Sequence, residues 1–447
     1  MLSDDQGWAG LSVALETGNP ASRSDFCETP HLEALAAQGM RFSRAYAPAP
    51  VCSPTRISLQ TGRSPAALHW TKAAPVMTAA DGYPLVPPAS RKQILASETS
   101  IAEVLKRAGY ATAHFGKWHL GGGGPEAHGY DVSDGATDNQ DAAPFTSPNP
   151  VDIFGMGGRA VAFMEQCARD NRPFFVQLSY HALHYPENAL PATIAKYRAK
   201  DPRRNEREIE RAAMTENLDT GVGRILARIS ELGLDDRTYV IYMSDNGSGG
   251  QRNRNGLSGG KGSLYEGGIR VPLIVRGPGI GAGSQCGISV AGYDLFPTFL
   301  HWSGSTEPLP PEVEGGDLGP LLRGDADSVK RAGEALVFHF PHYQSAEGPT
   351  SAIIQGDFKL LHFYETDADE LYNLSLDPGE TRDLSGIETD IRDSLKRRLS
   401  DHLSTIGAQL PIPNPAYDPD RNPSDDRKNH KKEKAGKTPA SRPPRQS

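Results

Sequence analysis

The chain has 447 residues, 37% of them hydrophobic and 23% charged, and a formal net charge of −8. This composition is typical of a globular protein with one large domain and a smaller one, and no stretch approaches the roughly 18 consecutive apolar residues of a membrane-spanning helix. A membrane protein is therefore excluded, and the four scattered cysteines, which include no C-x-x-C pair, argue against a disulfide framework or a zinc ribbon.

The N-terminus shows no basic segment followed by an apolar one, so this sequence is expected to encode no signal peptide. Asp4 and Asp5 follow directly after Met1 to Ser3. This abrupt start suggests a strand whose beginning is missing. We therefore expect a weakened first strand, with Asp4 near a fraying terminus.

The next elements carry punctuation typical of helices. Thr29 and the proline after it predict a helix over 31–38 that ends at a glycine. Ser100 and Glu103 form a capping box that opens a second helix. A short strand is predicted directly after that helix, over 110–115.

Two near-continuous apolar runs, at 173–178 and 238–243, predict strands of a parallel sheet that is covered on both faces. Between them an apolar stripe from Met214 to Ile229 predicts a long helix. Residues 271–275 are a third strand candidate. Strands that alternate with helices indicate an α/β sandwich with a large, mostly parallel sheet.

After residue 330 the pattern changes to short strands separated by turns. The predicted strands over 335–340, 351–354, 358–364 and 370–373 suggest a small antiparallel sheet, closed by a helix around 391–403. The chain is basic from Arg427 onward, and its low complexity predicts a disordered tail without a nucleic-acid partner. The predicted division is a large domain, a small C-terminal subdomain and a tail, at 1–330, 331–410 and 411–447.

Side chains capable of chemistry follow the predicted strands at the point where each strand ends. They are Asp4 and Asp5, Lys117 and His119, His181 and His184, and Asp245 and Asn246. In open α/β sheets the carboxyl edge is where ligands bind. We therefore expect a functional site along this edge.

The most informative stretch is C-S-P-T-R at 52–56, followed by T-G-R at 61–63. It resembles the signature of the formylglycine-dependent sulfatases. In that family the cysteine, here Cys52, is oxidised to formylglycine (3-oxoalanine), whose hydrated aldehyde is the nucleophile. A gem-diol suits sulfate transfer, because one hydroxyl attacks sulfur and the second expels sulfate by re-forming the aldehyde. Thr55 stands where many members carry serine, and we expect little effect because both are small hydroxyl residues.

The resemblance extends over most of the chain. Further matching segments are D-D-Q-G-W at 4–8, E-T-P-H-L at 28–32, G-M-R-F at 39–42, G-K-W-H-L-G at 116–121, H-A-L-H-Y-P at 181–186, S-D-N-G at 244–247, G-K-G-S at 260–263, Y-E-G-G-I-R-V-P at 265–272, L-Y-N-L at 371–374 and D-P-G-E at 377–380. The resemblance implies an alkaline-phosphatase-like sandwich with a small C-terminal antiparallel sheet and a helix. It also implies a sulfuric ester hydrolase.

A divalent cation is part of what the resemblance implies, held by Asp4, Asp5, Cys52, Asp245 and Asn246. Oxygen ligands of this kind suit a hard cation, with calcium first and magnesium second. The cation would bind the formylglycine hydroxyl and a sulfate oxygen, and would lower the pKa of that hydroxyl.

The catalytic side chains implied by the resemblance surround Cys52. Lys117 and Lys261 would hold the sulfate oxygens as point charges. His119 would take the proton of the second hydroxyl during sulfate release, and His184 would contact the sulfate or protonate the leaving oxygen. Arg56 would hold the formylglycine hydroxyl, or would instead serve as a structural ion-pair partner.

Other residues near these motifs have open roles. His181 precedes the family's histidine position by three, and we expect it behind the contact residues or in the core. His339, His342 and Tyr343 either reach the pocket from the small subdomain or pack in its core.

The leading hypothesis is hydrolysis of sulfate esters, on a sulfated small molecule or polysaccharide, after maturation by a formylglycine-generating enzyme. The enzymatic alternative is a phosphonate or phosphate monoester hydrolase of the same superfamily, although the paired lysines and the G-K-W-H block favour sulfate. A truncated, non-catalytic remnant is the third hypothesis. Family members are mostly periplasmic or secreted, whereas no signal peptide is evident here, so the location of the protein stays open.

Overall fold

The computed structural model describes residues 1–73, 82–141, 149–248 and 256–421. The β-strands within these ranges are β1 Leu2–Ser3, β2 Met40–Phe42, β3 Ala45–Tyr46, β4 Leu85–Val86, β5 Ala111–Gly116, β6 Val132–Ser133, β7 Phe174–Ser179, β8 Val240–Ser244, β9 Leu273–Arg276, β10 Ser284–Cys286, β11 Val290–Ala291, β12 Leu336–Phe340, β13 Thr350–Gln355, β14 Phe358–Phe363, β15 Ala368–Asn373 and β16 Ile412–Pro413. The α-helices are α1 Pro30–Ala37, α2 Cys52–Thr61, α3 Ile101–Arg107, α4 Ile153–Arg169, α5 Pro191–Lys200, α6 Glu206–Glu231, α7 Glu266–Ile269, α8 Leu295–Trp302, α9 Gly319–Arg323 and α10 Thr389–Thr405.

An eight-stranded sheet in the order β10-β2-β9-β8-β1-β7-β5-β6 forms the centre of the molecule. Most neighbouring strands are parallel, but β9 is antiparallel to both β8 and β2. Met243, near the end of β8, pairs with Leu273 at the start of β9, so the chain re-enters the sheet at the edge where β8 ends. The prediction of a sandwich with a large, mostly parallel sheet is confirmed, with the strand predicted at 271–275 as its antiparallel member.

Helices cover both faces of this sheet. Along β7 the alternating residues Phe174, Val176 and Leu178 pack with α1, α4 and α6, whereas Phe175 points to the opposite face, where α3 and α8 pack. The predicted capping box is present at the start of α3, where the Ser100 side chain accepts a hydrogen bond from the backbone N–H of Glu103. This two-sided cover explains why the strands are apolar almost throughout.

The first strand lies in the middle of the sheet, because Leu2 pairs with Ser179 of β7 on one side and Met243 of β8 on the other. Directly after it, the Asp4 N–H donates to Ala182 O at 2.8 Å, and Asp4 is fully buried. The expectation that Asp4 lies near a fraying terminus is therefore wrong. Two longer strands enclose the short one and hold the residues that follow it.

A cavity of about 520 Å³ lies at the amino-terminal ends of β7 and β8, lined by apolar side chains such as Phe175 and Ile241. None of the predicted site residues lines it. The cavity is at the edge of the sheet opposite to Asp4 and Asp245, so it is separate from the chemistry described below.

The C-terminal part contains the predicted small antiparallel sheet, in the order β12-β13-β14-β15, with α10 packed against β13 and β14. In the segment predicted as a tail, β16 pairs with β4, so residues 412–413 are ordered. The basic stretch from Arg427 lies outside the described residues. In the described ranges no helix is both long and apolar enough to cross a bilayer.

Candidate active site

Cys52 is the first residue of α2 and is 2% exposed. The Thr55 hydroxyl accepts a hydrogen bond from the N–H of Ala49 at 3.2 Å and donates one to the carbonyl of Ala49 at 3.1 Å. These two bonds fix the turn before the helix. Pro54 fits in the first turn because no helical carbonyl needs its missing N–H. Burial raises the pKa of the Cys52 thiol to about 11, so the unmodified side chain is protonated at neutral pH.

Arg56 lies one turn along α2 and is 2% exposed. Its Nε and Nη2 donate to Asp245 Oδ2 at 3.1 and 2.7 Å, Nη2 lies 3.5 Å from Asp4 Oδ2, and Nη1 donates to Lys117 O at 2.7 Å. The guanidinium is therefore an ion-pair partner of two carboxylates, the structural role left open by the sequence.

The carboxyl ends of β1 and β8 bring together the predicted metal ligands. Atoms of Asp4, Cys52 and Asp245 all lie within 4.8 Å of one another. Asp4 Oδ1 and Asn246 Oδ1 are both buried without a hydrogen-bond partner, and Asn246 Nδ2 donates to Asp5 Oδ1 at 2.8 Å. Buried oxygens left unpaired beside carboxylates fit a hard, oxygen-seeking cation.

Opposite charges lie close together in this cluster. Burial by itself would raise the pKa of Asp4, but Lys117 and Arg56 outweigh that effect and hold the pKa well below its usual range. Burial and the negative charge of Asp4 raise the pKa of Asp245. Perturbed groups of this kind are typical of functional sites.

Two lysines reach the cluster from different loops. Lys117 directly follows β5, and its Nζ contacts Asp4 Oδ2. Lys261 Nζ lies 2.5 Å from Asp5 Oδ1 and 3.6 Å from Cys52 Sγ. The position before Lys117 requires glycine, because Gly116 has φ +90° and an added Cβ would lie 2.2 Å from a backbone oxygen of β7.

The histidines stand around the same cluster. His119 has φ +57°, its Nδ1 is buried without a partner, and burial lowers its pKa to about 3. His184 is only partly buried, and its Nδ1 lies 2.7 Å from Tyr185 O. His181 is 5% exposed, and burial lowers its pKa to about 4. His119 is therefore neutral at pH 7, the form in which one ring nitrogen carries a free lone pair.

The small subdomain's histidines are engaged in packing. His339 bonds with Ser351 Oγ at 2.6 Å and Gln409 O at 2.9 Å, and His342 Nε2 lies 2.7 Å from Thr71 Oγ1. Tyr343 donates to a glutamate of the same subdomain. The contacts of His339 match packing in the core of the small subdomain. His342 and Tyr343 instead face the large domain, because they bond to Thr71 and to the backbone N–H of Leu85.

Lys359 was not singled out by the sequence analysis. Its Nζ lies 2.9 Å from Glu266 Oε1 and 2.7 Å from Glu380 Oε1, and all three side chains are fully buried. This ion cluster joins the small sheet to α7, which follows the Lys261 loop. The available signal was alternation along β14, which places Lys359 on the same face as the buried Leu361.

The chain is similar to known sulfatases over most of its length. The sulfatase family model matches residues 1–305, and the model described as N-sulphoglucosamine sulphohydrolase, C-terminal, matches residues 260–407. Human arylsulfatase A is 30% identical over 481 residues, covering 92% of this chain and 87% of that protein.

Two solved structures show how widely the fold is shared. Ps i-CgsB in complex with k-i-k-neocarrahexaose has a TM-score of 0.74 at 23% identity and covers 90% of this chain and 91% of its own. The phosphonate monoester hydrolase of Agrobacterium radiobacter has a TM-score of 0.63 at 20% identity, covering 91% and 95%. These structures show the fold alone, whereas the family model and the sequence identity point to sulfatases. The chain belongs to the sulfatase family, the enzymes that hydrolyse sulfate esters.

Proposed function

We propose that this enzyme cleaves sulfate monoesters of carbohydrates, through a formylglycine made from Cys52 and with a bound divalent cation. The observation that carries the proposal is the convergence of Asp4, Cys52 and Asp245 within 4.8 Å. Lys117 and Lys261 add two ammonium groups to the same cluster. Fixed positive charge is what the developing charge on a sulfuryl group needs.

The cation would be held by Asp4, Asp5, Asp245, Asn246 and the modified residue 52. The all-oxygen character of the first four favours Ca²⁺, with Mg²⁺ second. When bound, it supplies a lowered pKa for the attacking hydroxyl and neutralises negative charge on the sulfate.

The chain's own residues would divide the reaction between them. One hydroxyl of the hydrated aldehyde attacks sulfur, Lys117 and Lys261 hold the sulfate oxygens, and the bond from sulfur to the ester oxygen breaks. His184 gives a proton to the leaving oxygen. His119 then takes the proton of the second hydroxyl, the carbon–oxygen bond to sulfate breaks, and the aldehyde re-forms before water hydrates it again.

The unmodified thiol is a poor substitute for this nucleophile. Burial raises the pKa of the Cys52 thiol to about 11, so without the cation it carries almost no thiolate at neutral pH. This supports maturation by a formylglycine-generating enzyme as a requirement for activity.

The preference for a sulfated carbohydrate rests on relatives. The similar Ps i-CgsB structure contains k-i-k-neocarrahexaose. We further propose that residues 1–330 form the catalytic unit and 331–410 a small subdomain, with 411–447 as a tail that is anchored at its start by the β16–β4 pairing. The separate β12–β15 sheet supports this division. The buried ion pair of Lys359 with Glu266 would hold the two units together.

Mass spectrometry of the peptide containing Cys52, after co-expression with a formylglycine-generating enzyme, tests the nucleophile. We expect the aldehyde mass in wild type and none in a Cys52→Ala control. A thiol throughout, in a protein that still cleaves 4-nitrophenyl sulfate, would contradict the proposal.

Turnover of 4-nitrophenyl sulfate and 4-nitrophenyl phosphate by the matured enzyme separates the two chemistries. Faster sulfate cleavage is expected. Faster phosphate cleavage would favour the phosphonate or phosphate hydrolase, and modified protein inactive on both esters and on sulfated sugars would favour a remnant.

A further inference from the structure

Arg211 lies near the start of α6, outside every motif that carries the family resemblance, yet its guanidinium reaches the edge of the active site. Nη2 donates to the backbone carbonyl of Asp5, and Nη1 donates to the carbonyl of Leu183 at 3.2 Å. Its side chain is 24% exposed, so these bonds are largely shielded from water.

The two carbonyls belong to two segments whose relative position matters for the proposed reaction. Asp5 is a proposed metal ligand and has φ +58°, in the left-handed region. Leu183 directly precedes His184, the proposed proton donor. Between these segments the Asp4 N–H donates to Ala182 O at 2.8 Å, and the Leu183 N–H donates to Asp4 O at 2.7 Å.

These backbone bonds continue the β1–β7 pairing past the end of the sheet. Arg211 bridges the carbonyls of Asp5 and Leu183, which follow directly after this pairing. A planar guanidinium can donate in two fixed directions at once, which a lysine ammonium on a flexible stem does not reproduce. We infer that Arg211 is a positioning residue, which holds Asp5 at the metal site and His184 at the leaving group in a fixed relation. This inference rests on the proposed function.

The chain offers a matched control on the same helix. Arg207 lies one turn earlier, and its Nε donates to Glu187 Oε1 at 3.1 Å, whereas Arg211 Nη1 lies 3.9 Å from the same carboxylate atom. Arg207 is 60% exposed, and it contacts Glu187 and the ring of Tyr185. Removing Arg207 changes the charge of α6 equally but leaves the Asp5 and Leu183 carbonyls paired.

The first experiment measures metal affinity without turnover. Isothermal titration of CaCl₂ into wild type, Arg211→Met, Arg211→Lys and Arg207→Met would report the state of Asp5 directly. We expect Arg211→Met to weaken Ca²⁺ binding about 10- to 100-fold, the usual effect of losing a group that orients a ligand. Arg211→Lys should recover only part of this loss, and Arg207→Met should bind like wild type.

The second experiment follows kcat/KM on an alkyl sulfate and on 4-nitrophenyl sulfate. Arg211→Met should lose more activity on the alkyl sulfate, because a displaced His184 matters most when the leaving oxygen needs a proton. Equal Ca²⁺ affinity in Arg211→Met and Arg207→Met would overturn the inference, as would full recovery by lysine. An inactive wild type that binds Ca²⁺ in an Arg211-dependent way would reject the proposed reaction but keep the positioning role.

Discussion

Lys117 and Asp4 form an ion pair in which both side chains are fully buried. The two residues lie 113 positions apart and come from the carboxyl ends of β5 and β1. A carboxylate buried this deeply requires compensation. Arg56 supplies further positive charge, because its Nη2 lies 3.5 Å from Asp4 Oδ2 and 2.7 Å from Asp245 Oδ2.

Replacing Lys117 with Met should therefore destabilise the protein as well as inactivate it. Breaking a buried pair by removing one partner costs about 3–5 kcal/mol. The control is Lys196→Met, which removes a partly exposed lysine paired with Glu28 and Glu216 and should cost at most about 1 kcal/mol. Urea unfolding of both variants measures the difference, and similar losses in the two would contradict the account.

Ca²⁺ should stabilise the folded enzyme, because Asp4 Oδ1 and Asn246 Oδ1 are buried without partners. At a free concentration 100 times the Kd, a ligand that binds only the folded state adds about 2.7 kcal/mol. Thermal unfolding with CaCl₂ and with EDTA measures this shift. Asp245→Asn should abolish the stabilisation by Ca²⁺. The control is Asp25→Asn, which changes an 82%-exposed side chain and should leave the stabilisation intact. A Tm of the wild type that Ca²⁺ does not change would count against the metal site.

The loss of activity on removing His184 should depend on how much the leaving group needs a proton. His184→Ala is expected to lower kcat/KM about 100-fold or more on an alkyl sulfate, whose oxygen needs a proton, and much less on 4-nitrophenyl sulfate. His181→Ala, three positions earlier and 5% exposed, should affect both esters alike. Steady-state kinetics on the two substrates test this. Equal losses on both esters for His184→Ala would remove its role as proton donor.

His339 should make stability depend on pH. Burial lowers its pKa to about 4, against about 6.5 in an unfolded chain. As pH falls from 6.5 towards 4, the unfolded state binds a proton that the folded state does not, so stability falls. Between pH 7.5 and 5 the loss from this residue is about 2 kcal/mol.

The measurement compares urea unfolding of wild type and His339→Gln at those two pH values. Glutamine can donate and accept, as His339 does with Ser351 and Gln409. The variant should therefore remain folded and show a pH dependence smaller by about 2 kcal/mol. A variant with the wild-type dependence would show that His339 does not carry the effect.

The local elements of this protein follow from its sequence. The Ser100 capping box is a local motif, the stripe of α6 follows the helical period, and the four strands of the small sheet are short runs separated by turns. The signature around Cys52 and the polar residues after each strand also predict where the site lies, because parallel strands share one carboxyl edge.

Only the tertiary structure decides which of these groups meet. Arg56 binds Asp245, 189 positions away. Lys359 pairs with Glu266, and Arg211 bridges two carbonyls from distant segments. Such partners are set by strand order and by the burial of charge, which has no local period. For the same reason the sequence suggested a frayed first strand, whereas the sheet encloses Leu2 between β7 and β8 and buries Asp4 completely.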